Sequence, residues 1–224
     1  LASGQLKDEA NAWFVGEPFK VFYDYKKEGI WQLGEEAAAA ANGQEPGDIK
    51  VQDVDGNGVI TTDDRIIYSQ RPDVTFGFNN TFNYKGFDLS VFLYARLGQW
   101  IAYDYNTTYR INALENGGNV DYWTPENPTN AFPRPNKSKS YTQVTYYSTL
   151  KYEDGSFFKI RDITLGYTFK PELLKHLNLS RLRVYATAKN FFTFSKIDNY
   201  DPEQGGSISF PMTKQLVFGL NVEF

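Results

Sequence analysis

The chain has 224 residues, no cysteine and a net charge of −4. The lack of cysteine excludes disulfide scaffolds, thiolate metal sites and cysteine nucleophiles. The negative charge, without any run rich in Lys or Arg, excludes a basic surface for nucleic acid. No run of 18 apolar residues exists, which excludes a transmembrane helix. Aromatic residues nevertheless make up 17% of the chain, and alternating strands are the remaining way for such a sequence to meet lipid.

Residues 1–72 are predicted to form a region of loops and short strands. The segments WFVGEPFKVFYDY and KKEGIWQL contain strand-like pieces with poor alternation, so at most two strands are expected there. The run GEEAAAAANG (34–43) predicts a short helix that is acidic at its start and ends near Asn42-Gly43.

The segment DVDGNGVITTDD (53–64) follows the spacing of an EF-hand calcium loop. Calcium takes about six to eight hard oxygens, and Gly58 permits the sharp turn that directs them inward. Ile60 fits the apolar anchor of such loops. The predicted ligands are three carboxylates, an amide, a backbone carbonyl and a hydroxyl acting through water: Asp53, Asp55, Asn57, Val59, Thr61 and Asp64.

Two interpretations of this loop stay open. Neither flank predicts a good helix, so Ca²⁺ would be a structural cofactor of a loop outside an EF-hand. The alternative is an Asp/Asn/Gly turn that hydrogen-bonds its own backbone. Because Asp64 replaces the longer glutamate of the motif, the expected affinity for calcium is weak, about 10⁻⁴–10⁻³ M, as in extracellular modules.

Residues 73–224 contain five runs in which apolar and polar residues alternate with the period of a β-strand. Lys85-Gly86 joins the first two runs as a hairpin. Each run has about ten residues, which is the length of a tilted strand that crosses a bilayer. In chain order the runs are TFGFNNTFNY (75–84), FDLSVFLYARLG (87–98), IRDITLGYTF (160–169), RLRVYATAKNFF (181–192) and KQLVFGLNVEF (214–224).

Alternation alone fits both a soluble sandwich and a membrane barrel with a wet lumen. The connections favour the barrel, because the short turn Lys85-Gly86 and the compact segment 170–180 alternate with the long segments 99–158 and 195–212. Short turns on one side and long loops on the other are typical of outer-membrane barrels. The predicted fold class is all-β, an antiparallel transmembrane β-barrel segment with long extracellular loops and its C-terminus on the turn side.

Several blocks of sequence carry a family resemblance that extends through nearly the whole chain. They include VGEPFKVFYDYKKEGIWQLGEEA, GDIKVQDVDGNGVITTDDR, the hairpin after residue 74, YWTPENPTNAFPR, DGSFFKIRDITLGYTF, RLRVYATAKNFFTFS and DPE. In this order they resemble the C-terminal portion of SusC/RagA-type TonB-dependent transporters. The resemblance implies a barrel of about 22 strands with an N-terminal plug, in the outer membrane of a Gram-negative cell. It also implies a SusD-like lipoprotein lid and TonB-driven import of glycans or peptides.

Five clear strands cannot close such a barrel, and a sheet with open edges is not viable in lipid. The chain is therefore expected to be a fragment of a longer polypeptide, with the TonB contact in its missing N-terminal part. One rival is a soluble calcium-dependent binding module of dockerin or adhesin type, which usually carries paired calcium loops. The other rival is an outer-membrane enzyme, but no nucleophile–base pair is visible. No catalytic residue is predicted, and the only histidine, His176, lies in the turn PELLKHL.

Six aromatic residues in the first half of the long connection are candidates for substrate binding. Flat rings suit sugar faces and peptide side chains. The alternative is that these rings form the core of the loop itself or an aromatic girdle at the lipid interface. The six residues are Trp100, Tyr103, Tyr105, Tyr109, Tyr122 and Trp123.

The apolar face of the last strand continues to the C-terminal Phe224. The resemblance to outer-membrane barrels implies that the barrel-assembly machinery recognises this strand as an insertion signal, through Phe218, Leu220, Val222 and Phe224. The alternative is that Phe224 only anchors the strand at the periplasmic edge of the membrane.

Overall fold

The computed structural model describes residues 4–19, 21–109, 111 and 119–224. The chain divides into two compact units, and neither is continuous in sequence. The first unit comprises Leu1–Arg71, Trp100–Asp154 and Gly205–Ile208, and the second comprises Pro72–Gln99, Gly155–Gln204 and Ser209–Phe224. Most of the long connection thus packs within the first unit. The predicted division at residue 72, made by chain order alone, stays a prediction.

The described residues are mostly β, and all paired strands are antiparallel. The strands are β1 (Lys7–Asp8), β2 (Trp13–Phe14), β3 (Val21–Tyr25), β4 (Lys27–Ile30), β5 (Ile49–Val51), β6 (Arg65–Ser69), β7 (Val74–Tyr84), β8 (Phe87–Leu97), β9 (Trp100–Ala102), β10 (Tyr152–Asp154), β11 (Phe157–Thr168), β12 (Arg181–Ser195) and β13 (Gln215–Glu223). The α-helices are α1 (Glu36–Ala41) and α2 (Pro171–Leu174). Short 3₁₀ helices span Thr62–Asp64, Asp104–Thr108, Tyr141–Gln143, Tyr147–Lys151, Lys175–Leu177 and Pro202–Gln204.

The second unit is built on one five-stranded sheet in the order β13-β12-β11-β8-β7. The hairpin predicted at Lys85-Gly86 is confirmed. Both of its turn residues have positive φ, 46° and 90°, as the tight two-residue turns that match the twist of paired strands require. Glu223 pairs with Arg181 at the end of the sheet that carries the short connections. The C-terminus and the hairpin turn therefore lie at the same end, as the alternation of loop lengths predicts.

The register of this sheet sorts its side chains onto one apolar and one polar face. Across the strands, one apolar row contains Phe82, Leu89, Leu165, Ala186 and Phe218. The corresponding row of the opposite face contains Thr81, Ser90, Thr164, Thr187 and Val217. The polar face also holds the ion pair of Arg183 with Asp88, whose closest N–O distance is 2.5 Å. The two faces predicted from alternation are thus continuous over all five strands.

A β-bulge interrupts the sheet toward the end with the long connections. Between Ile160 and Asp162, strand β11 carries one extra residue, Arg161, relative to β8. Strand β12 carries two residues, Asn190 and Phe191, opposite that position. Asn190 has a left-handed backbone, with φ of 58°, a conformation that asparagine tolerates better than most residues. The bulge explains why Asn190 falls on the apolar side when the residues are simply counted by twos.

The first unit consists of small two-stranded sheets around a compact core. Its pairs are β1–β2, β3–β6, β4–β5 and β9–β10. Up to residue 72 it has six short strands where at most two are expected from the sequence, because strands of two to five residues are too short to show alternation. The core cluster is contributed by distant segments and contains Ile30, Ile49, Val51, Trp123 and Leu150.

The helices are short, as predicted. Helix α1 lies inside the predicted range 34–43 and ends at Ala41, with Asn42 as its C-cap, and α2 continues into the 3₁₀ turn at Lys175–Leu177. Among the residues described, no helix has the length and apolar character needed to cross a bilayer.

Candidate functional site

The aspartate-rich loop lies between β5 and β6 and folds around its own side chains. Both oxygens of Asp53 accept backbone hydrogen bonds, from Gly56 and Gly58, each at 2.7 Å. The loop is tied to its surroundings through the backbone N–H of Ile60, which donates to the side chain of Asn42 at 3.0 Å. Ile60 also packs against the core cluster, as the predicted apolar anchor should.

The loop brings three carboxylates together. One oxygen from each of Asp53, Asp55 and Asp64 lies within 4.8 Å of the other two. Two oxygens bound to one Ca²⁺ at 2.3–2.6 Å cannot be more than about 5.2 Å apart, so these positions fit a single ion. Within the described parts of the chain, no Lys or Arg forms an ion pair with any of the three. Both oxygens of each carboxylate instead accept hydrogen bonds from N–H groups of the loop and the residues beside it, as in the self-bonded turn that the sequence analysis leaves open.

The other predicted ligands are arranged differently. The side-chain amide of Asn57 donates to Asp55 at 2.7 Å, and its oxygen accepts from the backbone of Val59. Thr61 and Asp64 form a capping box at the start of the 3₁₀ helix Thr62–Asp64. The hydroxyl of Thr61 thus accepts a hydrogen bond at the helix N-terminus. Asp64 also caps this helix, a role that the calcium motif does not predict. The carbonyl of Val59 is the one predicted ligand from the main chain.

Of the three clustered aspartates, Asp64 is the one that is fully buried. The backbone N–H groups of Thr61 and Val54 each donate to one of its oxygens at 2.7 Å. These hydrogen bonds, that of Thr61 above all, hold the pKa of Asp64 below its usual range despite the opposing effect of burial. Asp64 therefore stays ionised and can serve as a hard oxygen ligand.

The six candidate aromatic residues divide into two groups. Tyr103, Tyr109 and Trp123 are buried, and the indole N–H of Trp123 donates to Gln32 at 2.8 Å. They form part of the core of the first unit, which is the alternative that the sequence leaves open. Trp100, Tyr105 and Tyr122 keep accessible surface.

A buried ion cluster is the most elaborate polar feature of the second unit, and the sequence analysis does not foresee it. The Lys159 ammonium is 0% exposed and donates to both oxygens of Asp201, at 2.8 and 2.7 Å, and to Glu203 at 2.8 Å. Arg161 pairs with the other oxygen of Glu203 at 3.1 Å. We call Lys159, Arg161, Asp201 and Glu203 the Lys159 clamp. Its two positive and two negative charges balance, and it fastens the connection between β12 and β13 to β11.

Two signals in the sequence point to this clamp. Lys159 stands between Phe158 and Ile160 and is out of phase with the alternation that begins at Asp162, which indicates an irregularity of the strand between them. The DPE segment, residues 201–203, supplies two acids around a proline in a connection with few other constraints. What the sequence lacks is any indication that these segments meet, since they are 42 residues apart.

The predicted features of the last strand lie at an edge of the sheet. Phe218, Leu220 and Val222 project from the apolar face, and Phe224 is 94% exposed. His176 is exposed on the 3₁₀ turn after α2.

Comparison of the sequence with known proteins finds relatives that carry the same kind of name. No family model matches the chain. TonB-dependent receptor P3 of Formosa agariphila is 31% identical over 235 residues, covering 93% of this chain and 22% of the receptor. TonB-dependent receptor SusC of Bacteroides thetaiotaomicron is 31% identical over 181 residues, covering 77% of this chain and 17% of SusC.

Solved structures agree with this result. The RagAB peptide transporter aligns over 95% of this chain and 24% of its own, with a TM-score of 0.69 and 24% identity. The RagAB peptide importer in its open-open state aligns with a TM-score of 0.65 and 26% identity, over 95% of this chain and 23% of its own. The antiparallel sheets described above thus correspond to part of a known transporter chain.

The chain spans between 17% and 23% of the length of these curated relatives. The relatives are receptors and transporters by name, so the family is not one of enzymes. Both the sequence identity and the shared fold confirm the resemblance to SusC/RagA-type receptors. The chain is a homologue of the SusC/RagA-type TonB-dependent receptors and corresponds to about a fifth of such a receptor.

Proposed function

We propose that this chain forms part of the barrel wall, and part of the loops above it, of a TonB-dependent importer in the outer membrane of a Gram-negative cell. The importer moves peptides or glycans inward together with a SusD-like surface lipoprotein. TonB is engaged through another part of the receptor. The observation that carries the proposal is the five-stranded sheet with one continuous apolar face, one polar face, and its short and long connections at opposite ends.

The apolar face of the sheet supports a lipid contact. Phe82 is 61% exposed and Phe218 is 74% exposed, at opposite edges of the sheet. A soluble module with calcium loops would bury such rings against a second layer, because large contiguous apolar patches are rare on soluble proteins. Strands β7 and β13 are unpaired on their outer sides within the described residues. Since unpaired strand edges are not viable in lipid, further barrel strands must complete them.

The connections at the two ends of the sheet support one orientation of the sheet in the membrane. Outer-membrane barrels have short periplasmic turns and long extracellular loops. The turn Lys85-Gly86 and the C-terminus would then face the periplasm. The long connections after β8 and β12, and the first unit with its aspartate-rich loop, would be extracellular.

The long loops at the extracellular end are the proposed docking surface for the SusD-like lipoprotein. The similar solved structures are named as the RagAB peptide transporter and the RagAB peptide importer, which supports a partner of this kind. We expect the complete receptor, co-expressed with its candidate SusD-like lipoprotein, to purify in mild detergent as a stable complex. Co-purification and size-exclusion chromatography measure this. Recovery of the receptor alone, with both proteins well expressed, would contradict the proposed partnership.

The aspartate-rich loop is proposed to hold a structural Ca²⁺. The three clustered carboxylates, the absence of a paired cation among the described residues and the ionised state of Asp64 support this. The ion would fix the loop that precedes the wall strand β7. Of the remaining predicted ligands, Asn57 and the carbonyl of Val59 are close enough in sequence to complete the oxygen set.

Calcium binding can be tested by one charge-neutral substitution. The complete receptor is expected to bind Ca²⁺ at about millimolar concentration in isothermal titration calorimetry. Asp53→Asn should weaken this binding at least about tenfold, because it removes a charged ligand, without preventing insertion into the membrane. Asp63→Asn is the matched control, since Asp63 is exposed and lies outside the carboxylate group. Equal affinities of the two variants, or no calcium heat in the wild type, would reject the site.

The C-terminal strand is proposed to act as an insertion signal for the barrel-assembly machinery. Deleting Phe224 should sharply lower the amount of folded receptor in the outer membrane, while the molecules that insert should transport normally. Quantification of surface-exposed receptor and of uptake per receptor separates these effects. Normal surface levels with impaired uptake would instead favour Phe224 as a local interfacial anchor.

A further inference from the structure

Two asparagine–glycine pairs lie in the part of the chain that the structure describes, Asn42-Gly43 and Asn57-Gly58. Asparagine deamidates most readily before glycine, because glycine has no Cβ and leaves its amide nitrogen free to attack the asparagine side chain. Asn42 is the C-cap of helix α1, whereas Asn57 is exposed in the aspartate-rich loop. The same dipeptide therefore stands in two different hydrogen-bonding environments, which can be compared directly.

The reacting groups of Asn57-Gly58 have hydrogen-bond partners within the loop. The Gly58 N–H, whose nitrogen attacks in deamidation, donates to the carboxylate of Asp53 at 2.7 Å. The side-chain oxygen of Asn57, on which negative charge develops, accepts the backbone N–H of Val59 at 2.7 Å. The side-chain nitrogen, which leaves, donates to Asp55 at 2.7 Å. The attacking nitrogen, the side-chain oxygen and the leaving nitrogen are thus all held in place.

These partners supply what the reaction requires. A carboxylate that accepts the Gly58 N–H is placed to take its proton as a general base. A backbone N–H directed at the side-chain oxygen stabilises the oxyanion of the tetrahedral intermediate. The other oxygen of Asp53 accepts the N–H of Gly56 at 2.7 Å, so the base is oriented before the reaction begins. The loop therefore assembles a base and an oxyanion donor around one amide.

Asn42 differs from Asn57 in the group that holds the glycine N–H. The Gly43 N–H donates to the carbonyl oxygen of Ala40 at 3.0 Å, and a neutral carbonyl is not a base for this proton. The side-chain oxygen of Asn42 accepts the backbone N–H of Ile60 at 3.0 Å. Both asparagines thus have an N–H at the side-chain oxygen, and the comparison isolates the contribution of the carboxylate.

We propose that Asn57 is a self-modification site, at which the loop converts its own side-chain amide into a carboxylate. The Gly58 nitrogen bonds to the side-chain carbon of Asn57 while its proton passes to Asp53. The bond to the side-chain nitrogen then breaks, and ammonia leaves with that proton. Water opens the resulting cyclic imide at either carbonyl, which gives aspartate or isoaspartate. Water is the only co-reactant, and nothing is oxidised or reduced.

The product changes the charge of the loop. Aspartate at position 57 adds a fourth carboxylate to the group of Asp53, Asp55 and Asp64, at a position where the calcium motif accepts either residue. Isoaspartate instead adds a carbon to the main chain before Gly58, the glycine that the motif requires. The modification therefore acts on the proposed calcium loop, although its chemistry needs no ion and does not rest on the proposed import function.

The test follows deamidation of the complete receptor in mild detergent with EDTA, which keeps calcium away from the carboxylates. Trypsin separates the two pairs, because residues 28–50 and 51–65 form different peptides, and mass spectrometry with fragment ions locates the change. Synthetic peptides of the same two sequences give the rates without the fold. In the receptor, Asn57 is expected to deamidate at least about tenfold faster than Asn42, because positioned proton transfer contributes about 10²–10⁴-fold in enzymes.

One substitution tests the proposed base. Asp53→Asn keeps the size of the side chain but removes its charge, so it should slow deamidation of Asn57 about tenfold and leave the rate at Asn42 unchanged. Asp63→Asn is the matched control, because Asp63 is exposed in the same loop and holds none of the reacting groups. A rate at Asn57 no higher than that at Asn42, or lower than in the free peptide, would overturn the proposal. Equal rates at Asn57 in the two variants would overturn it as well.

Discussion

Replacing Lys159 by methionine is expected to release the connection between β12 and β13 from the wall. The substitution keeps the length and the apolar stem of the side chain but removes the ammonium. The carboxylates of Asp201 and Glu203, about one tenth exposed, would then face each other with only Arg161 nearby. Removing one partner of a buried ion pair costs about 3–5 kcal/mol. Hydrogen exchange of residues 196–214 in the complete receptor should show a local opening free energy lowered by about this amount.

Two further variants make this result specific. Lys189→Met removes a lysine of the same face whose pair with Asp162 is long, 3.7 Å, and whose two side chains are 46% and 33% exposed; surface pairs are worth about 0–1 kcal/mol. Adding Asp201→Asn and Glu203→Gln to Lys159→Met removes the unpaired charges and should restore much of the protection. Equal exchange in Lys159→Met and Lys189→Met would show that the clamp does not hold the connection.

An arginine at Leu89 is expected to prevent stable insertion of the barrel. Leu89 lies on the apolar face, between Phe82 and Leu165 in the middle of the sheet. A charged side chain facing lipid near the bilayer midplane costs about 2–4 kcal/mol. Gel electrophoresis of unheated samples should show loss of the compact, heat-modifiable form of the complete receptor. Leu93→Arg, on the same face, should act in the same direction.

Ser90→Arg is the matched control for this prediction. Ser90 follows Leu89 directly but faces the polar side, where its hydroxyl lies 3.2 Å from Asn79. In a barrel this side is wet, so an arginine there keeps its hydration and the compact form should persist. Equal loss of the compact form in Leu89→Arg and Ser90→Arg would reject the assignment of the faces, and with it the barrel.

Local patterns allowed most of the wall to be predicted. The period-two alternation gave each of the five strands to within a few residues, because each strand is long and its two faces meet different surroundings. The hairpin at Lys85-Gly86 was predictable because both residues must adopt positive φ. The spacing of the aspartates likewise indicated the loop at 53–64, whose carboxylates do come together.

Features that depend on distant segments could not be predicted in the same way. The six short strands of the first 72 residues owe their conformation to pairing and core contacts rather than to their own sequence. The burial of Tyr103, Tyr109 and Trp123 depends on where the long connection packs, and alternation carries no information about that. The Lys159 clamp joins residues 42 positions apart. Neither segment contains a local pattern that indicates its contact with the other.

The extra residue Arg161 shifts the alternation of side chains between the two faces of β11 by one position. Counted by twos from Asp162, the polar positions would be Ile160 and Phe158, and Lys159 would point to the apolar side. The bulge reverses the parity, so that Lys159 and Asp162 share a face although one number is odd and the other even. A deletion of Arg161 would direct an ammonium toward the apolar side and two large hydrophobic side chains toward the polar side. A substitution of Arg161 would therefore remove one ion pair with Glu203, whereas loss of the position would turn the side chains that precede it to the opposite faces.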